Sequence, residues 1–506
     1  MARIRMNRAA RRGAAAGPLV VSEVNSRYFT VAGDRDGRAV YLAGSHIWHN
    51  LQDGIGPGQA CSDNPERMDF GEYLDFLEER GHNFIRLWRW EQFRSYTAAA
   101  DYHLCMVPQP WERTGPGEAS DGKAKFDLDR FDEEFFDRLR ERVVSAGERG
   151  MYVAVMLFEG WGLHLSTAPY HVEGHPFHAA NNINDVGIDS IRDYQVLPLH
   201  PRVQSLQETY IRHVVDSVHH LPNVLWEVAN ESCGGGTVDV EFAAFLGLEE
   251  APDWGDSTAW QYWVVDTVKR CEQEMGYDRH PIGMTMQFPV PDQARVNEPL
   301  LAGRAEWISP GFEEPAWFPG NPDMPTSGWY GNPPPADGRK IVIADTDHIA
   351  PGGGDALWAW KTFLRGHHPI LMDFGIIAGV DPPDPTAGGP MAFDAFEPAR
   401  LAMGDTVRYA ERVWLIEMQP RGDLSSTGYL LASPGVEYLA LQPEAGPFTV
   451  TLEPGTYSVE WFAVNVRSTV QGEDTSAEIT GPVRFQSPSP SEPSLLYLKS
   501  IGRLRL

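Results

Sequence analysis

Two short acidic motifs, each at the end of an apolar run, contain the residues best suited to chemistry. In NVLWEVANES the run ends at Asn230 and Glu231, and in KIVIADTDHI it ends at Asp345, with Asp347 two residues further on. Two carboxyl groups that flank one bond can cleave a glycoside, because one protonates the leaving oxygen and the other attacks the sugar or activates a water. The motifs therefore predict a catalytic pair made of Glu231 and one of the two aspartates.

Asp345 and Asp347 compete for the second catalytic role. They have the same side-chain parity, so both face the same side if the strand continues. Asp347 is favoured because it lies nearer the open end, and Asp345 would then hold a neighbouring side chain by a hydrogen bond. Glu159, at the end of another apolar run, is a rival for this role. Glu227, four residues before Glu231, is interpreted as a buried supporting acid and not as a catalyst.

Aromatic, histidine, arginine and amide side chains occur at the same strand ends and are predicted to bind substrate. Flat rings offer apolar platforms for sugar faces, whereas Arg, Asn and His fix hydroxyl groups by hydrogen bonds. The predicted substrate-binding residues are Asn230, Arg86, His46, Trp48, His49, Trp88, Glu159, Trp161 and His348. Each Trp and His could instead serve only packing, but at least two of the tryptophans are expected to line sugar subsites.

Alternation of β-like and amphipathic helical segments, from about residue 38 to residue 415, predicts the scaffold that brings these side chains together. Such alternation is typical of βα units and a parallel sheet, and eight units predict an α/β protein with a (β/α)8 TIM barrel. The C-terminal ends of all strands then meet at one face, where the active site is built. The predicted strands are Ala39–Gly44, Asn83–Leu87, Tyr152–Leu157, Val224–Val228, Pro281–Met286, Glu306–Ile308, Ile341–Ala344 and Pro369–Met372.

Three regions are predicted along the chain. Residues 1–17 are a basic extension with no apolar stretch behind it, so we expect disorder and not a signal peptide. Residues 18–416 form the barrel, preceded by a hairpin of Leu19–Ser22 and Tyr28–Val31. Residues 417–506 contain short apolar strands between turn motifs such as PEAGP and EPGT, which predict a small all-β sandwich domain. The chain as written is expected in the cytoplasm, or outside the cell if an export leader is missing.

Charge and cysteine content exclude several classes of partner. With 42 Lys and Arg against 70 Asp and Glu, the net charge is −28. This argues against nucleic acid and anionic membranes, because phosphate groups need a basic surface, and no apolar run is long enough to suggest a membrane span. The four cysteines lack metal-binding spacing and are interpreted as structural thiols, with one or two disulfides left open. A neutral carbohydrate fits best, no metal or cofactor is predicted, and the oligomeric state stays open.

The motifs resemble those of glycoside hydrolase clan A, in which an Asn-Glu pair ends the fourth strand. By this resemblance Glu231 matches the general acid/base, Asn230 the residue that binds the sugar 2-hydroxyl, and Arg86, in NFIRLW, the Arg that supports the nucleophile. YLAGSHIWHN is similar to the first strand of the apiosidase-like (DUF4038-type) barrels of this clan. The tail, from YLLASP to LEPGTYSVEWF, is similar to the "collagen-binding" β-domain that often follows such barrels. The resemblance implies hydrolysis of O-glycosyl bonds, with pentofuranosides as a family-level expectation.

The sequence departs from this clan at the seventh strand, where a nucleophilic Glu is usual and Asp345 and Asp347 stand instead. An Asp can attack the sugar or leave room for a water, so retention and inversion both stay open. A metal-dependent hydrolase is an alternative, with ligands from HIWHN and DTDH, although such sites usually have His-x-His and this chain has His-x-x-His. A carbohydrate-binding protein without activity is another. Metal analysis would separate the first from a glycosidase, and turnover of glycosides would exclude the second.

Overall fold

A closed barrel of eight parallel β-strands forms the centre of the protein. The computed structural model describes residues 13–34, 37–55, 67–97, 102–164, 172–234, 255–288, 293–311, 332–348, 354–377, 393–489 and 491–501. The barrel strands are β1 (Gly44–His46), β2 (Phe84–Leu87), β3 (Tyr152–Glu159), β4 (Val224–Asn230), β5 (Ile282–Thr285), β6 (Trp307–Ser309), β7 (Ile341–Asp345) and β8 (His368–Met372). Each strand pairs with the next, and β8 pairs with β1 to close the ring. The predicted α/β class and the (β/α)8 barrel are confirmed.

Side chains from several strands fill the inside of the barrel. Phe84, Trp307 and Ile343 are buried in one apolar cluster there. Gly283 on β5 makes room for the largest of them, because a Cβ atom at this position would lie 1.9 Å from the Trp307 ring. The barrel is therefore a packed core below its mouth, and a substrate can only be bound at the strand ends.

Helices surround the barrel and begin where the sequence supplies a cap. Asp69, Asp132 and Asp355 each accept a hydrogen bond from a backbone N–H in the first turn of the helix that follows, which satisfies a donor that has no partner inside the helix. The long helices are α1 (Phe70–Glu79), α2 (Glu133–Glu148), α3 (Pro201–Val218), α4 (Thr258–Met275), α5 (Gln293–Ala302), α6 (Ala356–Leu364) and α7 (Glu397–Arg412). Short helical turns are Trp161–His164, Val172–Gly174, Arg192–Gln195, Thr346–His348, Phe374–Ile377, Phe393–Phe396, Leu415–Glu417 and Gly422–Leu424.

The first barrel strand begins later than the sequence predicts. The predicted strand was Ala39–Gly44, whereas β1 is Gly44–His46. Side chains accept hydrogen bonds from the backbone N–H groups just before β1. The Leu42 N–H donates to His368 Nδ1 (2.9 Å), and the Ala43 N–H donates to Asn83 Oδ1 (2.9 Å). The apolar run is buried as expected, but side chains and not a neighbouring strand satisfy these two amides.

A β-rich insertion near the barrel mouth was not predicted from the sequence. Strands Asp53–Ile55, Tyr102–Val107 and Arg94–Thr97 form a three-stranded antiparallel sheet, and Trp111–Glu118 pairs with Ala124–Phe131. Most of this insertion lies between β2 and α2, where the sequence analysis assigned no element. Polar residues, glycines and a proline interrupt its strands, so it gives a weaker periodic signal than the buried barrel strands.

The C-terminal region forms a β-sandwich after the barrel. Its strands are Gln419–Pro420, Leu430–Ser433, Glu437–Gln442, Phe448–Leu452, Gly455–Ala463, Ser468–Gln471, Thr475–Ala477, Gly481–Phe485 and Ser494–Ser500. Seven of them form one antiparallel sheet, and Phe448–Leu452 pairs with Gly481–Phe485 in a second. Side chains from both sheets, among them Val450, Trp461 and Phe485, share one apolar core. This β-domain agrees with the predicted fold class.

The β-domain and the barrel share a buried interface. Phe462 packs against Trp360 of α6 and Tyr409 of α7, with ring centroids 5.7 and 5.6 Å apart. At the edge of this contact, Glu460 accepts hydrogen bonds from Tyr409 Oη (2.9 Å) and Arg412 Nη1 (2.7 Å). Apolar residues of both parts belong to one continuous core cluster, so the β-domain is fixed to the barrel.

The chain before β1 lies along the barrel. Leu19–Val21 and Phe29–Val31 pair antiparallel, in the hairpin that the sequence predicts. Of the predicted disordered extension, residues 1–12 lie outside the described part; within residues 13–17, the Ala15 N–H donates to Gly147 O (2.8 Å). Cys105 is disulfide-bonded, and Cys233 and Cys271 are free, buried thiols. Among the described helices, none has the length and apolar character needed to cross a membrane.

Candidate active site

Arg86 connects three acidic or amide side chains at the barrel mouth. It extends from β2, is buried, and donates to Glu227 Oε2 from Nε (2.7 Å), with a second, short contact to Glu227 Oε1. Its Nη1 donates to Asp345 Oδ2 (2.9 Å) and its Nη2 to Asn230 Oδ1 (3.0 Å). Strands β2, β4 and β7 thus share one guanidinium group, whose planar donors suit several carboxylates at once. Glu227 occupies the supporting position that the sequence suggested.

Asp345 is a buried carboxylate that accepts hydrogen bonds from several neighbouring residues. Besides Arg86, it accepts from His46 Nε2 (3.1 Å to Oδ1) and from the backbone N–H of Asp347 (3.0 Å). Burial alone would raise its pKa, but the interactions with His46 and Arg86 outweigh it and hold the pKa of Asp345 well below its usual range. Asp345 is therefore a permanently ionised group that is already engaged by its neighbours.

Asp347 and Glu231 form a pair of neighbouring carboxyl groups at the mouth. A carboxylate oxygen of each, together with a ring nitrogen of His348, all lie within 4.8 Å of one another. The side chain of Asp347 is 13% exposed, on the short turn Thr346–His348 that follows β7. Burial and the charge of Asp345 raise the pKa of Asp347 to about 8. Burial and then the charge of Asp347 raise the pKa of Glu231 well above its usual range.

Hydrogen bonds fix the orientation of Asn230 and the tautomer of His348. Arg86 can only donate, so the Asn230 atom that faces it is Oδ1. His348 Nε2 lies 3.0 Å from the same oxygen and must donate to it; its Nδ1, 2.8 Å from Ser309 Oγ, then accepts from that hydroxyl. Burial lowers the pKa of His348 to about 3, so the ring is neutral. The Asn230 Nδ2 group is buried, and a side-chain hydrogen bond from Asn230 opposes the burial that raises the pKa of Glu159.

The backbone at Glu231 has an unusual conformation. Its φ is 39°, in the left-handed region that side chains other than glycine seldom adopt. The regular alternation of β4 is also interrupted, because Glu227 and Asn230, three positions apart, both contact Arg86. Strained backbone of this kind costs about 1–3 kcal/mol and occurs most often at functional sites.

Four tryptophans that follow β1, β2 and β3 pack against one another. Trp88 and Trp90 are buried, and Trp88 stacks parallel to His46 with ring centroids 5.8 Å apart. Trp48 and Trp161 are half-buried, and their ring centroids are 6.2 Å apart. Of the four, the two half-buried rings are the ones that a ligand can reach.

Glu159 and His49 have different surroundings from the other residues predicted to bind substrate. Glu159 is paired in register with Asn230 and is fully buried; it accepts from the Gly162 N–H (3.0 Å), and burial raises its pKa to about 8. The His49 ring packs against Gly54 in the insertion, and no described contact joins it to Arg86 or to the carboxyl pair. The structure brings the remaining candidates together and leaves His49 apart.

Ser309 and Gly160 are site residues that sequence analysis missed. Ser309 orients His348, and it lies one residue beyond the predicted end of the sixth strand. Gly160 has no functional group and contacts the site only through its backbone. The position of Ser309 at a strand end was the only available signal, and Gly160 gave none.

The three-residue cluster at the mouth offers atoms that could hold a metal ion. Glu231, Asp347 and His348 each have one such atom within 4.8 Å of the others. Both ring nitrogens of His348 are already bound, however, to Ser309 and to Asn230. Metal binding through His348 would break one of these bonds.

Several solved structures have a similar fold. The chain has the fold of glycoside hydrolases. One solved structure described as a glycoside hydrolase matches with a TM-score of 0.58 at 12% identity, over 96% of this chain and 98% of its own. A glycoside hydrolase of family 5 from Bacteroides vulgatus matches with a TM-score of 0.54 at 12% identity, over 97% of this chain and 95% of its own. At such low identity the likeness establishes the fold alone.

Sequence comparisons add little to this. The family described as "Domain of unknown function (DUF6298)" matches residues 94–274, which contain Glu159, Asn230 and Glu231. No curated protein is significantly similar to the chain. The apiosidase-like subtype and the likeness of the tail to the "collagen-binding" β-domain stay predictions.

Proposed function

We propose that this protein hydrolyses an O-glycosidic bond of a carbohydrate, with Glu231 as general acid/base and Asp347 as the second catalytic carboxyl. One observation carries the proposal: carboxylate oxygens of these two residues lie within 4.8 Å at the mouth of the barrel. The overall likeness to glycoside hydrolases supports it. Two facing carboxyl groups of unequal acidity are what glycoside hydrolysis requires.

The short separation favours a retaining mechanism. Carboxyl groups about 5–5.5 Å apart suit attack by one on the sugar, whereas about 6.5–9.5 Å leaves room for a water between them. In the first step, Asp347 forms a bond to the anomeric carbon while Glu231 gives its proton to the leaving oxygen. In the second, Glu231 takes a proton from a water, which attacks the same carbon and releases Asp347.

Asp347 suits the second role better than Asp345. Asp345 already accepts hydrogen bonds from Arg86, His46 and a backbone N–H. The side chain of Asp347 is more exposed than that of Asp345 and lies near Glu231. Attack by Asp345 would leave the buried Arg86 without one of its ionised partners, which is costly in a low-dielectric site. Asp345 instead orients the turn that carries Asp347, through the Asp347 N–H, and keeps a negative charge beside it.

The substrate is proposed to be an uncharged sugar. Arg86, the cation at the carboxyl pair, is fully engaged by Glu227, Asp345 and Asn230, so it offers no charge to an acidic sugar. The half-buried rings of Trp48 and Trp161 offer apolar platforms for the face of an uncharged sugar. Pentofuranosides remain the expectation from the apiosidase-like resemblance.

A metal-dependent hydrolase is the second candidate. The cluster of Glu231, Asp347 and His348 favours it. The hydrogen bonds that occupy both nitrogens of His348 count against it, as does the lack of a predicted His-x-His motif.

Activity of the wild type and of Glu231→Gln tests the proposal. Both would be assayed on a panel of aryl glycosides and on plant and bacterial polysaccharides, with product anomers followed by NMR. We expect the wild type alone to release sugar, first as the anomer of the substrate, and Glu231→Gln to bind the same sugar with an unchanged fold. Activity of wild-type level in Glu231→Gln would contradict the role of Glu231. Activity lost on chelation and restored by a metal would favour the second candidate.

A further inference from the structure

Gly160, the residue that follows β3, lies directly against the peptide of Glu231. Its N–H donates to Asn230 O (2.9 Å), which continues the register between β3 and β4. A Cβ atom at this position would lie 2.4 Å from the Glu231 carbonyl oxygen and 2.8 Å from Ser232 Cα. These are backbone atoms, which cannot rotate away as a flexible side chain can. Any side chain at position 160 must therefore displace the Glu231 peptide or β3 itself.

Space and not backbone conformation requires glycine here. The φ of Gly160 lies outside the left-handed region, so alanine can adopt its conformation, whereas Glu231 has φ 39°. Glu231 is thus the residue with the strained backbone. The absence of a side chain at Gly160 leaves space for the Glu231 peptide in that conformation. Such strain persists only where the surroundings hold it in place.

We propose that Gly160 is a positioning residue for Glu231: its missing side chain allows the left-handed backbone that aims the acid/base at the leaving oxygen. This inference rests on the proposed function of Glu231. A displacement of about 1 Å in a catalytic group can lower a rate by about 100-fold. Gly160 acts only through the Glu231 backbone and contacts no substrate.

The dependence of rate on the leaving group tests this role in Gly160→Ala. A poor leaving group, such as an alkoxide, needs the proton of Glu231, whereas a dinitrophenolate leaves without it. On glycosides of the sugar that the wild type hydrolyses, we expect Gly160→Ala to lose about 100-fold in kcat/KM for the alkyl glycoside. The loss for the dinitrophenyl glycoside should stay within about threefold, because general acid catalysis contributes little there.

Gly404→Ala is the matched control. A Cβ atom at Gly404, on α7, would lie 1.7 Å from the Arg80 carbonyl oxygen at the end of α1, at the face of the barrel opposite the mouth. This variant suffers a comparable backbone clash, so it should lose thermal stability and keep the leaving-group dependence of the wild type. The same steep dependence in Gly404→Ala would mean that lost stability alone explains the effect, and the inference would fall.

Each result has one interpretation. Gly160→Ala with a wild-type leaving-group dependence overturns the positioning role, even if its stability falls. Full activity in Glu231→Gln overturns the proposed function instead, and absence of any hydrolysis by the wild type overturns both. If Gly160→Ala does not fold, a crystal structure of the wild type with a glycosidase inhibitor replaces it. A negative φ at Glu231, or a gap above about 4.5 Å between Gly160 Cα and the Glu231 carbonyl, would then contradict the inference.

Discussion

At the scale of single residues, three acids of the site differ in their hydrogen-bonded and charged neighbours. Arg86 and His46 hold Asp345 ionised, whereas burial and the charge of Asp345 raise the pKa of Asp347, and Glu231 lies near Asp347. The three acids therefore differ in proton affinity although they are chemically similar. Unequal proton affinities in a pair of carboxyl groups are the condition for one to act as acid while the other acts as nucleophile.

Asparagine substitutions distinguish the two aspartates. Asp347→Asn should lower kcat at least about 1,000-fold, because an amide cannot attack the sugar, while the melting temperature changes little. Asp345→Asn should lower the stability, by roughly 3 kcal/mol, because Arg86 loses an ionised partner inside the protein. Steady-state kinetics and thermal unfolding of both variants provide the measurement. Loss of activity without loss of stability in Asp345→Asn, together with an active Asp347→Asn, would exchange the two roles.

The pH dependence of kcat/KM follows from the same carboxyl groups. The active form needs Asp347 ionised and Glu231 protonated. Because burial and the charge of Asp345 raise the pKa of Asp347 to about 8, activity should rise as the pH rises through about 8. It should fall again where Glu231 ionises, and the pKa of Glu231 is raised well above its usual range. Removing the charge of Asp345 lowers the pKa of Asp347, so any residual activity of Asp345→Asn should have its acid limb at lower pH. An acid limb near pH 4 in the wild type would contradict the assignment of Asp347.

At the scale of elements, the ends of β3 and β4 form one unit. Glu159 pairs in register with Asn230, and the Gly160 N–H donates to Asn230 O just before Glu231 turns into the left-handed region. The same short segment continues into Trp161, one of the two half-buried rings at the mouth. A single irregularity shared by two neighbouring strands thus positions both the proposed acid/base and one of the proposed sugar platforms.

The strand ends opposite this unit, on β6 and β7, orient the amide of Asn230. Ser309 sets the tautomer of His348, and His348 then donates to Asn230 Oδ1 together with Arg86. Because the oxygen has two donors, the Nδ2 group is turned away from both. A hydrogen-bond chain across four strands therefore fixes this amide next to Glu231, which is a form of preorganisation.

At the scale of the whole molecule, the barrel and the β-domain share one core and should unfold together. Phe462 of the β-domain is buried between Trp360 and Tyr409 of the barrel helices. Phe462→Ala should lower the free energy of unfolding by about 3–5 kcal/mol, because it leaves a cavity in this interface, and the protein should still show one thermal transition. Calorimetry provides the measurement.

Val470→Ala is the control for that substitution. Val470 lies in the same domain but is 46% exposed, so its truncation should change the stability by less than about 0.5 kcal/mol. Two separate transitions in the wild type, or equal effects of the two substitutions, would show that the β-domain does not stabilise the barrel.

The sequence by itself determined the barrel, the two acidic motifs and the approximate positions at which the strands end. These follow from local rules: buried parallel strands are continuous apolar runs, helices follow them with caps, and polar residues at the C-terminal ends must gather at one face. The β-domain was also predictable, because short strands between turn motifs are local patterns. The insertion before α2 was missed, since polar residues, glycines and a proline interrupt the periodic pattern of its strands.

Only the tertiary structure decided how the acids differ. Asp345 and Asp347 are indistinguishable by residue type, and their roles separate only when β2 brings Arg86 and β1 brings His46 to one of them. The orientation of Asn230 depends on Ser309 and His348, from two other strands. These contacts join residues distant in the chain, and distances across a closed barrel are set by strand register, which local sequence patterns do not encode.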